Sequence, residues 1–184
     1  MTDERFYECL KQIEKKDKSA LKEIYEEYVS FIYHFVLDIV KSKENAEDIT
    51  SEFFIKLWDR PGGYRPGGGH KGYIATIARN MAIDHLRKHK REDLYAGMSD
   101  DDSPPDAIEA ASDTGPTPED AAVSGLAVDQ ALERLKPIYR QIVIMKVLSE
   151  MTFREIASVL DMPMGTVTWD YNEAIKQLRR FGYD

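Results

Sequence analysis

A chain of 184 residues suits one domain of ordinary size or two small ones, and its 42% hydrophobic and 32% charged residues are those of a globular protein. The one cysteine, Cys9, excludes an internal disulfide framework and a Cys-rich zinc finger. No apolar run reaches the roughly 18 residues of a membrane span. The opening stretch MTDERFYECLKQIEKK lacks the apolar core of a signal peptide, so the expectation is a reduced, cytoplasmic protein with no membrane insertion.

A formal net charge of −8 argues against a polyanionic partner only if the charge is evenly spread, and it is not. Of the 33 acidic residues, 12 fall in 92–133, which has no Lys or Arg, leaving 21 against 25 basic residues elsewhere. Residues 70–91 carry six basic side chains against Asp84 alone. Asymmetry of this kind between segments points to nucleic acid as a partner.

In chain order, residues 3–91 read as helical. Leu21, Ile24, Tyr25, Tyr28, Ile32, Phe35, Val36 and Ile39 recur at steps of three and four over 18–40, one stripe of a long amphipathic helix. Residues 44–58 repeat the pattern with Ala46, Ile49, Phe53, Phe54 and Leu57. The run RPGGYRPGGG over 60–69 breaks the helix. A third helix spans about 71–91, with Ile74, Ile77, Ala78, Met81, Ala82 and Leu86 on one side and a basic end. The predicted first domain is 1–92.

Residues 93–117 are rich in Asp, Ser, Pro, Gly and Ala and read as a flexible acidic linker. Thr117-Pro118-Glu119 reopens helical structure with a capping Thr, Pro at the first helical position and an early acid. The second domain, 118–184, divides into four helices at about 118–135, 137–148, 153–160 and 164–181. Thr152-Phe-Arg-Glu155 is a capping box for the third of them. No run alternates with period two, so the fold class is all-α, two small helical domains without a sheet.

The last two helices, joined by Asp161-Met162-Pro163, have the form of a helix-turn-helix. Val167, Tyr171, Ala174 and Leu178 face inward on this reading. Thr166, Thr168, Trp169, Asn172, Glu173 and Lys176 form the outer face, with Arg179 and Arg180 placed to hold phosphates. A plain helical hairpin in a bundle core has the same local signature. The basic residues of 70–91, with Tyr64 and Tyr73 nearby, suit a nucleic-acid backbone and stacked bases, or else a solvated charged face.

Three segments in order carry a family resemblance: NAEDITSEFFIKLW over 45–58, GYIATIARNMAIDHLRK over 72–88, and MTFREIASVL over 151–160 followed by MGTVTWDYNEAIKQL over 164–178. Together they resemble a bacterial RNA polymerase sigma factor of the extracytoplasmic-function group, which keeps sigma domains 2 and 4 joined by a linker. The resemblance implies that Asp48, Glu52, Phe53 and Phe54 dock on the clamp helices of the polymerase β′ subunit, acids for basic partners and aromatics for an apolar anchor. It implies that 60–91 opens the minus-ten element and holds a flipped-out base, with Tyr73, Arg79, Asn80, Arg87, Lys88, Lys90 and Arg91 on the separated strand. It further implies that the second domain reads the minus-thirty-five element through Arg154, Thr166, Thr168, Trp169, Asn172, Lys176, Arg179 and Arg180 and packs on the β flap. The partners implied are core RNA polymerase, promoter DNA and, commonly in the family, an anti-sigma factor.

Ser51 stands where the family often has Gln, and Thr168, Asp170 and Glu173 stand at positions that are typically basic. Two acids facing phosphates predict weak, salt-sensitive binding by the second domain, with promoter affinity coming from the tether to polymerase. Two rival readings are a helix-turn-helix regulator that binds duplex DNA without polymerase and a helical, polymerase-binding interaction module. No nucleophile–base set, phosphate-binding glycine loop or paired carboxylate site suggests catalysis or a cofactor. His85 and His89 have zinc-like spacing, with His70 upstream, but lack a third ligand in the motif, so surface histidines and no metal are expected. Cys9, among Phe6, Leu10 and Ile13, reads as a small buried apolar residue.

Overall fold

The computed structural model describes residues 1–96 and 132–180. Among these residues there are seven helices and no strand: α1 (Asp3–Glu14), α2 (Lys18–Val40), α3 (Lys43–Asp59), α4 (His70–Ala96), α5 (Pro137–Val147), α6 (Phe153–Leu160) and α7 (Met164–Arg180). The all-α expectation holds. The linker and the helix expected at 118–135 lie almost wholly outside the described residues, and α4 continues to Ala96, beyond the expected end at 91.

The helix starts have local causes. Thr2, Asp17 and Ser42 each accept a hydrogen bond from a first-turn amide, those of Arg5, Ser19 and Asn45. Thr152 and Glu155 form the expected reciprocal capping box, and Pro137 opens α5. Two helices end on left-handed residues, α2 at Lys41 and α6 at Asp161 (φ 54°), the second of them the turn of the expected helix-turn-helix.

Helix α2 is central and packs against α1, α3, α4 and α5. Its stripe of Ile24, Tyr28, Phe31, Ile32, Phe35 and Val36 is buried against Phe6 and Ile13 of α1, Ile49 and Phe53 of α3, and Ile74 and Ala78 of α4. Cys9 is fully buried there, as expected. The same core continues into Ile142, Met145, Met151, Ile156 and Val167 of the second unit, and a smaller cluster joins Leu135, Tyr139 and Val143 to Ala174. The two units therefore meet directly, α5 on α2 and α6 on α4.

Candidate nucleic-acid interface

The interface starts from the stripe that α4 leaves outside the core. Ile74, Ala75, Ala78 and Ala82 are fully buried on one side. Steps of seven, seven and four place Tyr73, Asn80, Arg87 and Arg91 in one row along the opposite side. Asn80, Arg87, Lys88, Lys90 and Arg91 are exposed, and Arg79 is half-buried. Arg87 meets Asp84 at 3.7 Å, a loose exposed pair that competes weakly with a phosphate.

The aromatics expected beside this row are placed differently. Tyr64 is buried, and Tyr73 is half-buried with its hydroxyl donating to the Gly62 carbonyl at 3.2 Å. Their rings lie 5.3 Å apart, and both pack around Phe6. Tyr64 thus belongs to the floor beneath the 60–69 loop and offers no face to a base, while Tyr73 keeps one partly open side. His70, expected at the surface, is 5% exposed, stacked on Phe6 at 5.1 Å and 2.5 Å from the Tyr28 hydroxyl. Both of its ring nitrogens are engaged, Nδ1 by Asp3 and Nε2 by Tyr28. His85 and His89 do lie together, rings 4.3 Å apart, and no group of three metal-ligating side chains occurs among the described residues.

On α3, Asp48 and Glu52 are exposed, one turn apart, with Glu52 paired to Lys56 at 2.9 Å. Phe53 and Phe54, expected as outward anchors, are core residues, 1% and 5% exposed. They lie on the inward stripe with Ile49 and Leu57, and burying two aromatic rings outweighs exposing them. The apolar surface beside the acids is instead Ile55 and Tyr25, the latter packed on Phe54 at 4.8 Å.

In the second unit, Arg154, Thr166, Trp169, Asn172, Lys176, Arg179 and Arg180 are all exposed, a single outer face on α6 and α7. Thr168 is half-buried, and its hydroxyl donates to the Met164 carbonyl at 2.9 Å. Asp170 is not on that face. It is 6% exposed and turned into the domain, where burial pushes its carboxyl above the usual range against the opposing pull of Lys136. Glu173 is half-buried and pairs with Lys176 at 3.6 Å. Of the two acids expected to repel phosphates, only Glu173 is near the outer face.

Sequence reasoning missed one residue that organises the whole loop. Asp3, in the first turn of α1, accepts hydrogen bonds from the Tyr64 hydroxyl, the Gly67 amide (2.8 Å) and the His70 amide (2.9 Å), and its Oδ1 is 3.1 Å from His70 Nδ1. Burial acts to raise its pKa, but these bonds together outweigh it and bring the carboxyl down to about 2. An acid in a helix's first turn is ordinary by itself, so no local signal marks it.

The sigma-70 region 2 family matches residues 24–92, and the sigma-70 region 4 family matches residues 125–178. The chain is 28% identical over 176 residues to the ECF RNA polymerase sigma factor SigW of Bacillus subtilis, covering 93% of each. It is 26% identical over 181 residues to the ECF RNA polymerase sigma factor BldN of Streptomyces coelicolor, covering 96% of this chain and 65% of that one. In fold it is similar to the sigma factor RpoE solved with the anti-sigma factor NepR from Bartonella quintana (TM-score 0.65, 18% identity, 86% of this chain and 94% of that one). It is also similar to CnrH solved with the cytosolic domain of CnrY (TM-score 0.61, 15% identity, 98% and 97%).

Proposed function

We infer a division of labour within a chain that belongs to the sigma-70 family, in its extracytoplasmic-function (ECF) group. The chain is a non-enzymatic sigma factor that binds RNA polymerase and directs it to promoters. The finer roles are our reading of the surfaces. The unit 1–92 docks through the exposed Asp48 and Glu52 on the β′ clamp helices, opposite charges steering the encounter. The row Tyr73, Asn80, Arg87 and Arg91, with Arg79, Lys88 and Lys90, holds the separated minus-ten strand. The outer face of α6 and α7, in the unit 118–184, enters the major groove at the minus-thirty-five element, and that unit also meets the β flap. Residues 93–117 join the two. We place the protein in the cytoplasm, where polymerase is, and include an anti-sigma factor among its partners, because the similar sigma factor RpoE was solved with the anti-sigma factor NepR.

The observation that carries this reading is the order on one chain of a helical unit with a solvent-facing basic row and a helix-turn-helix with a polar outer face. Run-off transcription with purified core polymerase tests it. Promoter-dependent product is expected with the wild type and loss of polymerase association with Asp48→Arg. Promoter-dependent product from Asp48→Arg equal to wild type would remove the docking assignment, and no product from either would remove the reading as a whole.

A further inference from the structure

We propose that Asp3 is a positioning residue for strand capture: by gathering hydrogen bonds from Tyr64, Gly67 and His70 onto one carboxylate, it sets the shape of the loop that leads into α4. The proposal rests on the reading of 60–91 as the strand-binding segment.

Besides Asp3, the loop is held by one internal turn bond, Gly68 N–H to the Arg65 carbonyl at 3.2 Å, and by the Tyr73 hydroxyl on the Gly62 carbonyl at 3.2 Å. Gly67 and Gly69 have φ of 85° and 79°, conformations open to glycine and costly for other residues, and such residues carry high chain entropy. Gly69 sits at the cap position of α4, where Tyr73 N–H donates to its carbonyl at 3.2 Å. Lacking a side chain, Gly69 satisfies none of the free amides of the first turn. Asp3 supplies the missing acceptor from another helix, taking the His70 amide at 2.9 Å.

The two oxygens divide the work. Oδ1 takes Tyr64, the His70 amide and His70 Nδ1, while Oδ2 takes the Gly67 amide three residues before α4. A neutral His70 that donates from Nδ1 to Asp3 accepts from the Tyr28 hydroxyl at Nε2, so the chain of bonds ends on the central helix. Asp3 itself is held by α1, whose Phe6, Cys9, Leu10 and Ile13 are buried. Arg65, Pro66, Gly67 and Gly68 remain exposed above this floor. An exposed tip on a fixed base offers a strand a ready-made shape, so less ordering is left to the moment of binding.

The test uses the full chain, free and bound to core RNA polymerase. Asp3→Asn should speed hydrogen exchange at the Gly67 and His70 amides, and slow opening of a promoter carrying a fluorescent minus-ten base, each by about tenfold. Affinity for core polymerase should not change. Tyr64→Phe removes one of the donors without altering the carboxylate; the same pattern in smaller measure is expected, and it serves if Asp3→Asn fails to fold. Unchanged exchange in both variants overturns the proposal. So does faster exchange with normal opening, and so do equal losses of polymerase affinity and opening, which would make the role merely structural. A wild-type holoenzyme that opens no promoter would overturn the assignment of 60–91 and the strand-capture half with it, while the exchange rates still judge the anchoring.

Discussion

Arg140 on α5 brings its Nε to 2.6 Å from Oδ1 of Asp38 on α2, a carboxylate only 3% exposed at the junction of the two units. Lys41 meets the same oxygen at 2.6 Å from a more open position. Oδ1 is thus paired with cations from both units, while Oδ2 is buried without a hydrogen-bond partner, and the burial of the carboxylate depends on the packing of the units.

Removing the arginine leaves a buried acid with one cation. Arg140→Leu should cost about 2 kcal/mol, less than the 3–5 of a wholly uncompensated buried charge because Lys41 remains. Asp38→Leu combined with Arg140→Leu should recover much of that loss, since an apolar pair replaces the ionic one. Urea unfolding of the single and double variants gives the coupling directly. Simple additivity of the two losses would show that the pair does not act as a unit.

Acid should loosen the first unit through His70. Burial holds its pKa below 6.5, against the pull of Asp3. The folded state then binds fewer protons than the unfolded chain, so stability is full above pH 6.5 and falls as pH drops below it. Asp3, depressed to about 2, keeps its contribution until pH falls below its ordinary 3.8 and therefore stays out of this window. His85 adds a shift of the same sign from burial and from His89, opposed by Asp48 and Glu52. Thermal midpoints between about pH 7.5 and 5.5 should fall for the wild type and for His85→Asn, and fall less for His70→Asn. Equal slopes in the wild type and His70→Asn would contradict this account.

Asp170 is held at a cost. Its pKa is raised by burial, so stability at neutral pH is lower than it would be with a neutral side chain of the same shape. Asp170→Asn should therefore raise the unfolding free energy by up to about 1 kcal/mol and leave promoter affinity unchanged. Asp170→Arg should lower stability by about 2 kcal/mol, because a longer cation enters a closed site. If Asp170→Asn strengthens DNA binding in a salt-dependent way, the acid does face phosphate after all.

The face of α3 separates packing from docking. Phe53→Ala should cost about 3–5 kcal/mol, since it empties a fully buried ring site. Asp48→Arg and Glu52→Arg should each stay within about 0.5 kcal/mol of wild type in unfolding, both being exposed, and should weaken binding to core polymerase. Calorimetry and a polymerase binding titration separate the two effects. Strong destabilisation by Asp48→Arg would move it out of the docking surface.

The contrast between Phe53 and Asp48 shows how legible the candidate site was. The spacing of Ala46, Ile49, Phe53, Phe54 and Leu57 already described an inward stripe, and the structure buries all five. Reading Phe53 and Phe54 outward came from resemblance alone, and the local pattern was the better guide. The row on α4 was legible because a helix presents every seventh residue on nearly the same side. The aromatic floor was not, because the loop folds Tyr64 inward onto Phe6, a residue far away in the chain.

The capping box of Thr152 with Glu155, the glycine-rich break over 60–69 and the tight turn at Asp161 have causes within a few residues and were legible in the amino-acid order, although α4 runs past its expected end at 91 to Ala96. Family membership was likewise written in three short segments and their order. Which polar groups are buried depended on surfaces that meet only after folding. Asp3 reaching Tyr64, Gly67 and His70, and Arg140 reaching Asp38, each join residues whose local surroundings give no sign of it, because burial belongs to two packed surfaces together and periodicity describes only one of them.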